Sequence, residues 1–196
     1  MQVNQKYQLL KDETIEVFGK KLFRIQALVN IGSSVEVGDK GGFIEKEENL
    51  SADGDAWVYG DARVYGDAQV YGNAQVCGDA RVCGNAQVYG NARVYGDAQV
   101  YGDARVCGDA QVCGEYSMLI VSNIGSVQRT TTFFVCADLK IRVSCGCFFG
   151  DLAAFRAKVR ETHKDTKHAQ TYLAAADFAE SVLVLPEKTT QEDSEK

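Results

Sequence analysis

From Gly54 to Gly114 the chain repeats one six-residue phrase without a break: GDAWVY, GDARVY, GDAQVY, GNAQVC, GDARVC, GNAQVY, GNARVY, GDAQVY, GDARVC, GDAQVC. Alanine holds the third place of every unit, from Ala56 to Ala110, and valine the fifth, from Val58 to Val112. A strict period of six is out of phase with a helical turn of 3.6 residues, so a helix would scatter these side chains round its surface. In an extended segment the two share a face, because successive side chains alternate. Ala and Val therefore point into a core. The slot between them (Arg or Gln, once Trp57) and the slot after them (Tyr or Cys) point out. Gly followed by Asp or Asn supplies a corner, since positive φ costs Gly little and Asn or Asp tolerates it. Three six-residue segments close a triangular coil of 18 residues, and the ten units make about three and a third coils, each rising by ~4.8 Å.

The flanks read differently. Tyr7 to Ala27 is a hairpin in which TIEVFG and KLFRIQAL flank a Gly19-Lys20-Lys21 turn. Val35 to Gly54 is an irregular first coil: Val37, Ile44 and Leu50 lie six or seven apart, and GDKGG offers corner glycines. Terminal units of a solenoid must be atypical to stop edge pairing, so this part is expected to cap the rod. After Gly114 the pattern changes to three strands, MLIVS, TTTFFVCA and KIRVSCGCF. Asp151 is expected to cap a helix with Leu152, Phe155 and Val159 on one stripe. Asp165 should cap a second, bearing Ala169, Tyr172, Leu173, Ala176, Ala179 and Leu183. The expected division is a hairpin cap over 1–34, a solenoid over 35–114, an α+β unit over 115–186 and a disordered tail over 187–196.

A net charge of −6 argues against nucleic acid and anionic membranes as partners. The opening MQVNQKYQLLKDET is polar, and no stretch reaches the roughly 18 apolar residues of a membrane span. The expected location is therefore the reducing cytoplasm, where the seven cysteines are thiols.

The succession LFRIQAL, GDKGGFIEKEENLS, the GDAxV[YC] units, IRVSCGCFFG and THKDTKHAQTY, from Leu22 to about Leu183, resembles a group of phage and prophage hexapeptide-repeat proteins. Members of that group are uncharacterised or labelled transferase-like. The resemblance implies a mainly β fold: a left-handed parallel β-helix of hexapeptide repeats with an N-terminal β-hairpin cap and a small C-terminal α+β domain. It also implies a mobile-element origin, and a host cell cytoplasm as the setting, but no reaction.

Hexapeptide-repeat acyltransferases use a general base, usually His, at a coil edge. No His lies between Met1 and Thr162, and the ten units carry no insertion, so catalysis on the coils is disfavoured. Residues 18 apart stack, which makes Asp61, Asp79 and Asp97 an all-carboxylate corner column, a weak candidate for cations. The Tyr/Cys slots form ridges (Tyr59, Tyr65, Tyr71, Tyr89, Tyr95, Tyr101) flanked by Arg63 and Arg81, which suit a subunit interface. By resemblance the assembly would be a homo-oligomer, trimer or dimer.

The C-terminal part holds the remaining chemistry. A reading of CGC as one strand puts the Cys145 and Cys147 sulfurs on one face, with His163 and His168 downstream. That set could hold zinc, or pair Cys147 with His163 as nucleophile and base. The bland alternative is packed thiols and a solvent-facing histidine at a helix C-terminus. Ser126, Arg129, Thr131 and Arg142, with Cys145, Cys147 and His163, are the expected ligand-binding residues, although TTTFF also suits a half-exposed strand. No cofactor is implied. The function expected is a non-enzymatic oligomeric scaffold presenting its C-terminal domain to a host protein or small ligand, as in modulation of a host process such as defence. The alternatives are an acyltransferase-like or Cys-dependent enzyme, and a phage-particle component.

Overall fold

The computed structural model describes residues 5–113, 117–136 and 138–183. Strands β1 (Tyr7–Val17) and β2 (Lys20–Ala27) form a hairpin, followed by β3 (Lys40–Ile44) and a short 3-10 turn (Glu47–Asn49). Ten short strands then occupy the repeat: β4 (Trp57–Val58), β5 (Arg63–Val64), β6 (Gln69–Val70), β7 (Gln75–Val76), β8 (Arg81–Val82), β9 (Gln87–Val88), β10 (Arg93–Tyr95), β11 (Gln99–Val100), β12 (Arg105–Val106) and β13 (Gln111–Cys113). They stack in parallel as three walls, β4-β7-β10-β13, β5-β8-β11 and β6-β9-β12. The register is one coil of 18 residues, as in Val64 over Val82 over Val100. Every repeat Ala and Val is 0% exposed, so the inward face is as the period requires. Each Val buried this way contributes about 1.5–3 kcal/mol.

The corners hold a second constraint. The repeat glycines take φ of 59–73°, and their backbones stack closely on one another. A Cβ on Gly84 would lie 2.9 Å from the Gly102 nitrogen. The Asp and Asn that follow stay out of the left-handed region. They serve as rungs instead: Asn73 Nδ2 donates to Asn91 Oδ1 (3.1 Å), Asn91 Nδ2 to Asp109 Oδ1 (3.1 Å) and Asn85 Nδ2 to Asp103 Oδ1 (2.9 Å).

At the N-terminal end β2 pairs antiparallel with β3, and β3 pairs parallel with β5, so the hairpin prolongs one wall. Its turn is Phe18-Gly19, both at positive φ, and not the expected Gly19-Lys20-Lys21. Tyr7, Ile25, Ile31 and Val35 close the core over the first coil. Trp57 occupies an outward slot but is 1% exposed, because Tyr7 covers it edge-on at 6.2 Å. Val37, expected in that core, is 64% exposed, and Ile31 and Val35 fill the place. Lys6 Nζ donates to the carbonyls of Ser51 (3.1 Å) and Ala56 (2.7 Å), and burial lowers its pKa to about 8.

At the other end stands a four-stranded antiparallel sheet of β14 (Met118–Ile124), β15 (Arg129–Val135), β16 (Ile141–Cys145) and β17 (Phe148–Asp151), in that order. The expected third strand is in fact two, because Gly146 (φ 60°) and Cys147 turn the chain back. One face of the sheet, with Met118, Ile120, Phe134 and Cys136, packs into the solenoid core. The other, with Phe133, Val135 and Val143, packs under helices α1 (Leu152–His163) and α2 (Lys167–Val182). Thr131 to Val135 are accordingly all buried, and this strand is not half-exposed. Asp151 caps α1 as expected, accepting from Ala154 N at 2.7 Å. The cap of α2 is Thr166 and not Asp165, because Lys164 ends α1 with φ 49° and places Thr166 at the next helix start. The expected tail, 187–196, lies outside the described residues.

Candidate ligand cleft at the C-terminal end

The β14–β15 turn, the β16–β17 turn and the outer ends of the helices enclose a cleft of about 430 Å³. Its lining is Ser126 and Val127 from the first turn, Arg129 from β15, Cys145, Cys147 and Phe148 around the second, and Tyr172 from α2. Phe155, Lys158, Val159, Thr162 and His163 come from α1. Two glycines let these parts meet. A Cβ on Gly125 (φ 76°) would collide with the Tyr172 hydroxyl, and one on Gly146 with the Arg129 guanidinium. The α1 residues lie three, four, seven and eight positions on from Phe155, which is one face of a helix.

Apolar walls surround a cationic rim. Arg129 and Lys158 supply the charge beside His163, and among the described residues no carboxylate lines the cleft. Lys158 pairs with Glu161 along the helix at 2.9 Å. Among the described residues no ion pair engages Arg129. Deeper in, Thr131 Oγ1 donates to Cys145 Sγ (3.2 Å), and the thiol leans toward Tyr172 Oη at 3.9 Å. Burial, reinforced by Cys145, pushes the Tyr172 phenol up to about 12, against the opposing pull of Arg129. Tyr172 therefore remains a hydrogen-bond donor at any ordinary pH. The His163 ring stacks on Tyr172 with centroids 5.5 Å apart, and His168 lies 6.3 Å from His163.

The cleft brings together Ser126, Arg129, Cys145, Cys147 and His163. Thr131 sits behind it, fully buried, and acts through Cys145. Arg142 lies elsewhere: three residues from Cys145 on β16, it projects from the opposite face of the sheet and pairs with Asp138 at 2.7 Å. The CGC segment does not put both sulfurs on one strand face, since Cys147 is in the turn. Among the described residues no group of three or more His, Cys, Asp or Glu is placed to hold a metal. Asp61 pairs with Arg24 at 3.3 Å, whereas Asp79 and Asp97 follow it up the column. Tyr172, Phe148 and Lys158 also line the cleft, and no motif in the sequence marks them. The stripe Leu152, Phe155, Val159 extended by four residues reaches His163, and that periodicity was the available signal.

The solenoid walls differ from one another. Tyr71 and Tyr89 stack at 4.9 Å and 2°. Tyr59 and Tyr95 are half-buried, and Tyr101 is 55% exposed. Tyr65 is 8% exposed because Leu22 of the hairpin and Phe43 of β3 lie over it, so it adds nothing to an outer ridge. Arg63 and Arg81 stand in register, one coil apart. A polar groove of about 610 Å³ between the last coil and the sheet holds Arg105 and Arg129, and also Asp103.

Ten parallel strands in three walls, capped at both ends by the chain's own strands, define a β-solenoid repeat protein. The sequence model of the family described as "YdcK Beta solenoid repeat" matches residues 56–72, 74–86, 86–98 and 98–114. The similarity covers the coils and stops before the sheet and helices that form the cleft. No curated protein matches the chain.

Proposed function

We propose that the chain is a non-catalytic scaffold whose solenoid rod forms a homo-oligomer, trimer or dimer, through its Tyr/Cys walls and carries a binding cleft at its C-terminal end. The observation that carries this reading is the separation of roles along the molecule. The coils are uniform Ala/Val cores without His or insertion, whereas cationic, thiol and phenol groups converge in the cleft. The resemblance to phage hexapeptide-repeat proteins supports a host molecule as the partner and a host process, such as defence, as the target.

Truncation is a poor test, because removing the C-terminal part would strip Phe134 and Cys136 from the solenoid core. Full-length protein and an Arg129→Glu/Lys158→Glu variant are instead compared for the host components they retain, with fold checked by circular dichroism. Loss of the retained set in the variant is expected; an identical set in both would move binding off the cleft. Sedimentation equilibrium of wild type and Tyr95→Ser/Tyr101→Ser tests the oligomer, and a monomeric wild type would end that part of the reading.

An enzyme reading keeps one supporting observation, that Cys147 and His163 line the same cleft. A thiol enzyme would lose all turnover in Cys147→Ser, whereas the scaffold would keep its partner.

A further inference from the structure

We infer that the cleft takes a small amphipathic anion: a single carboxylate or phosphate attached to a flat or branched apolar body. This rests on the reading of the cleft as a binding site and adds the chemical class of its occupant.

Three observations converge on that class. Arg129 and Lys158 make the rim cationic; among the described residues no carboxylate lines it and no ion pair engages Arg129, which is exposed. A guanidinium offers paired N–H donors whose geometry matches a carboxylate or phosphate. The walls are apolar: Phe155 and Val159 are buried core residues that show an edge to the cleft, and Val127 is 58% exposed over its mouth. An exposed valine beside a half-filled apolar wall is surface that a hydrophobic body would cover. Finally, the Thr131–Cys145–Tyr172 series passes hydrogen bonds inward to outward, each group donating to the next. The last proton, on the Tyr172 hydroxyl, is then available to an acceptor in the cleft.

Size limits the ligand. A cleft of about 430 Å³ that also opens to solvent accommodates a body of roughly one ring and a short chain. A ligand of that size binds with Kd on the order of 0.1–10 mM. The polar groove at the sheet–coil junction does not compete for this class. Asp103 shares it, and Arg105 there already donates to the Gly146 carbonyl at 3.2 Å.

The test uses 4-phenylbutyrate, its neutral isostere 4-phenylbutan-1-ol, and acetate, titrated into the full-length protein by NMR. Phenylbutyrate should bind about tenfold more tightly than the alcohol, as expected for one charge-assisted contact, and acetate much more weakly than either. Shifts should fall on Val127, Val159 and Tyr172. Arg129→Gln should remove most of the preference for the anion over the alcohol, and Arg160→Gln, outside the lining, should not. Equal binding of anion and alcohol would overturn the anionic class while leaving the site. Acetate binding as tightly as phenylbutyrate would overturn the apolar body. No binding by any of the three, with the fold intact, would overturn the cleft as a site.

Discussion

The corner ladder makes a charge experiment with a definite sign. In the column Asn73, Asn91, Asp109 each amide donates to the residue one coil on, both at 3.1 Å. Asn91→Asp keeps the acceptor for Asn73 but removes the donor to Asp109 and puts two carboxylates one coil apart. At ~4.8 Å in bulk water their repulsion is about 0.9 kcal/mol. The lost hydrogen bond adds about 0.5–1.5 kcal/mol, and the stronger acceptor now offered to Asn73 returns a fraction of it. The expected net cost is about 1–1.5 kcal/mol at 10 mM salt, read as a fall in the urea midpoint at constant slope. In 1 M salt the Debye length is about 3 Å, so at ~4.8 Å the Coulomb part should fall to about a fifth. Adding Asp109→Asn restores a donor to the new carboxylate and should bring stability within about 0.5 kcal/mol of wild type. If Asn91→Asp were as stable as wild type, or the second substitution failed to rescue it, the hydrogen bonds would not be what settles charge at the corners.

Two glycines separate backbone strain from coil stacking. Gly19 and Gly84 have φ of 74° and 71°, but only Gly84 has another backbone within reach of a Cβ. Gly19→Ala should cost about 1–2 kcal/mol and Gly84→Ala distinctly more by the same urea assay; equal costs would remove stacking as a reason for the repeat glycine. Phe134→Ala, at a site 0% exposed in the solenoid core, should cost about 3–5 kcal/mol. It should also raise hydrogen exchange in β12 and β13 more than in β5; uniform exchange would mean that the sheet does not seal the rod. Alkali should unfold the protein. Burial raises Tyr65, Tyr89 and Tyr172 to about 12 and Cys136 to about 11. These acids ionise first in the unfolded chain, so their stabilisation is complete below pH about 9 and is lost as pH rises toward about 12. Lys6 works in the opposite sense: lowered to about 8, it adds stability as pH rises from about 8 to 10.5. Urea titrations should show Lys6→Met lacking that rise, and an unchanged profile would refute the burial of its charge.

The coils were legible in the sequence because one constraint recurs at every turn. Ala and Val at fixed places can satisfy a common core only in an extended, 18-residue coil, and one observation tests all ten units. The caps were less legible, because covering a rod is a long-range event. Trp57 follows the outward slot and is buried where Tyr7, distant in sequence, packs edge-on against it. Val37 keeps the spacing of a core residue yet faces solvent, because Ile31 and Val35 have already filled the place. The cleft was legible in part. Arg129, Cys145 and His163 stood out by chemistry, but the turn at Gly146 sets which thiol faces what, and a two-residue reversal inside KIRVSCGCF leaves no break in hydrophobicity to read.

The position of the cleft follows from how the rod is closed. A parallel solenoid must end on something that covers its last coil, and here that is one face of an antiparallel sheet. A sheet with Phe133, Val135 and Val143 on its far face cannot stand in water, so the helical pair is needed to cover it. Two helices of 12 and 16 residues cover the centre of that face. Where β15 begins and β16 turns, Arg129 and Cys145 line the cleft together with Tyr172 of α2 and the last turns of α1. The residues that seal the rod and those that line the cleft therefore occupy opposite faces of the same strands, Phe134 on one side and Phe133 on the other. Substitutions at the cleft can therefore be made without unsealing the coils, which is the physical basis for the proposed placement of recognition at this end and not along the walls.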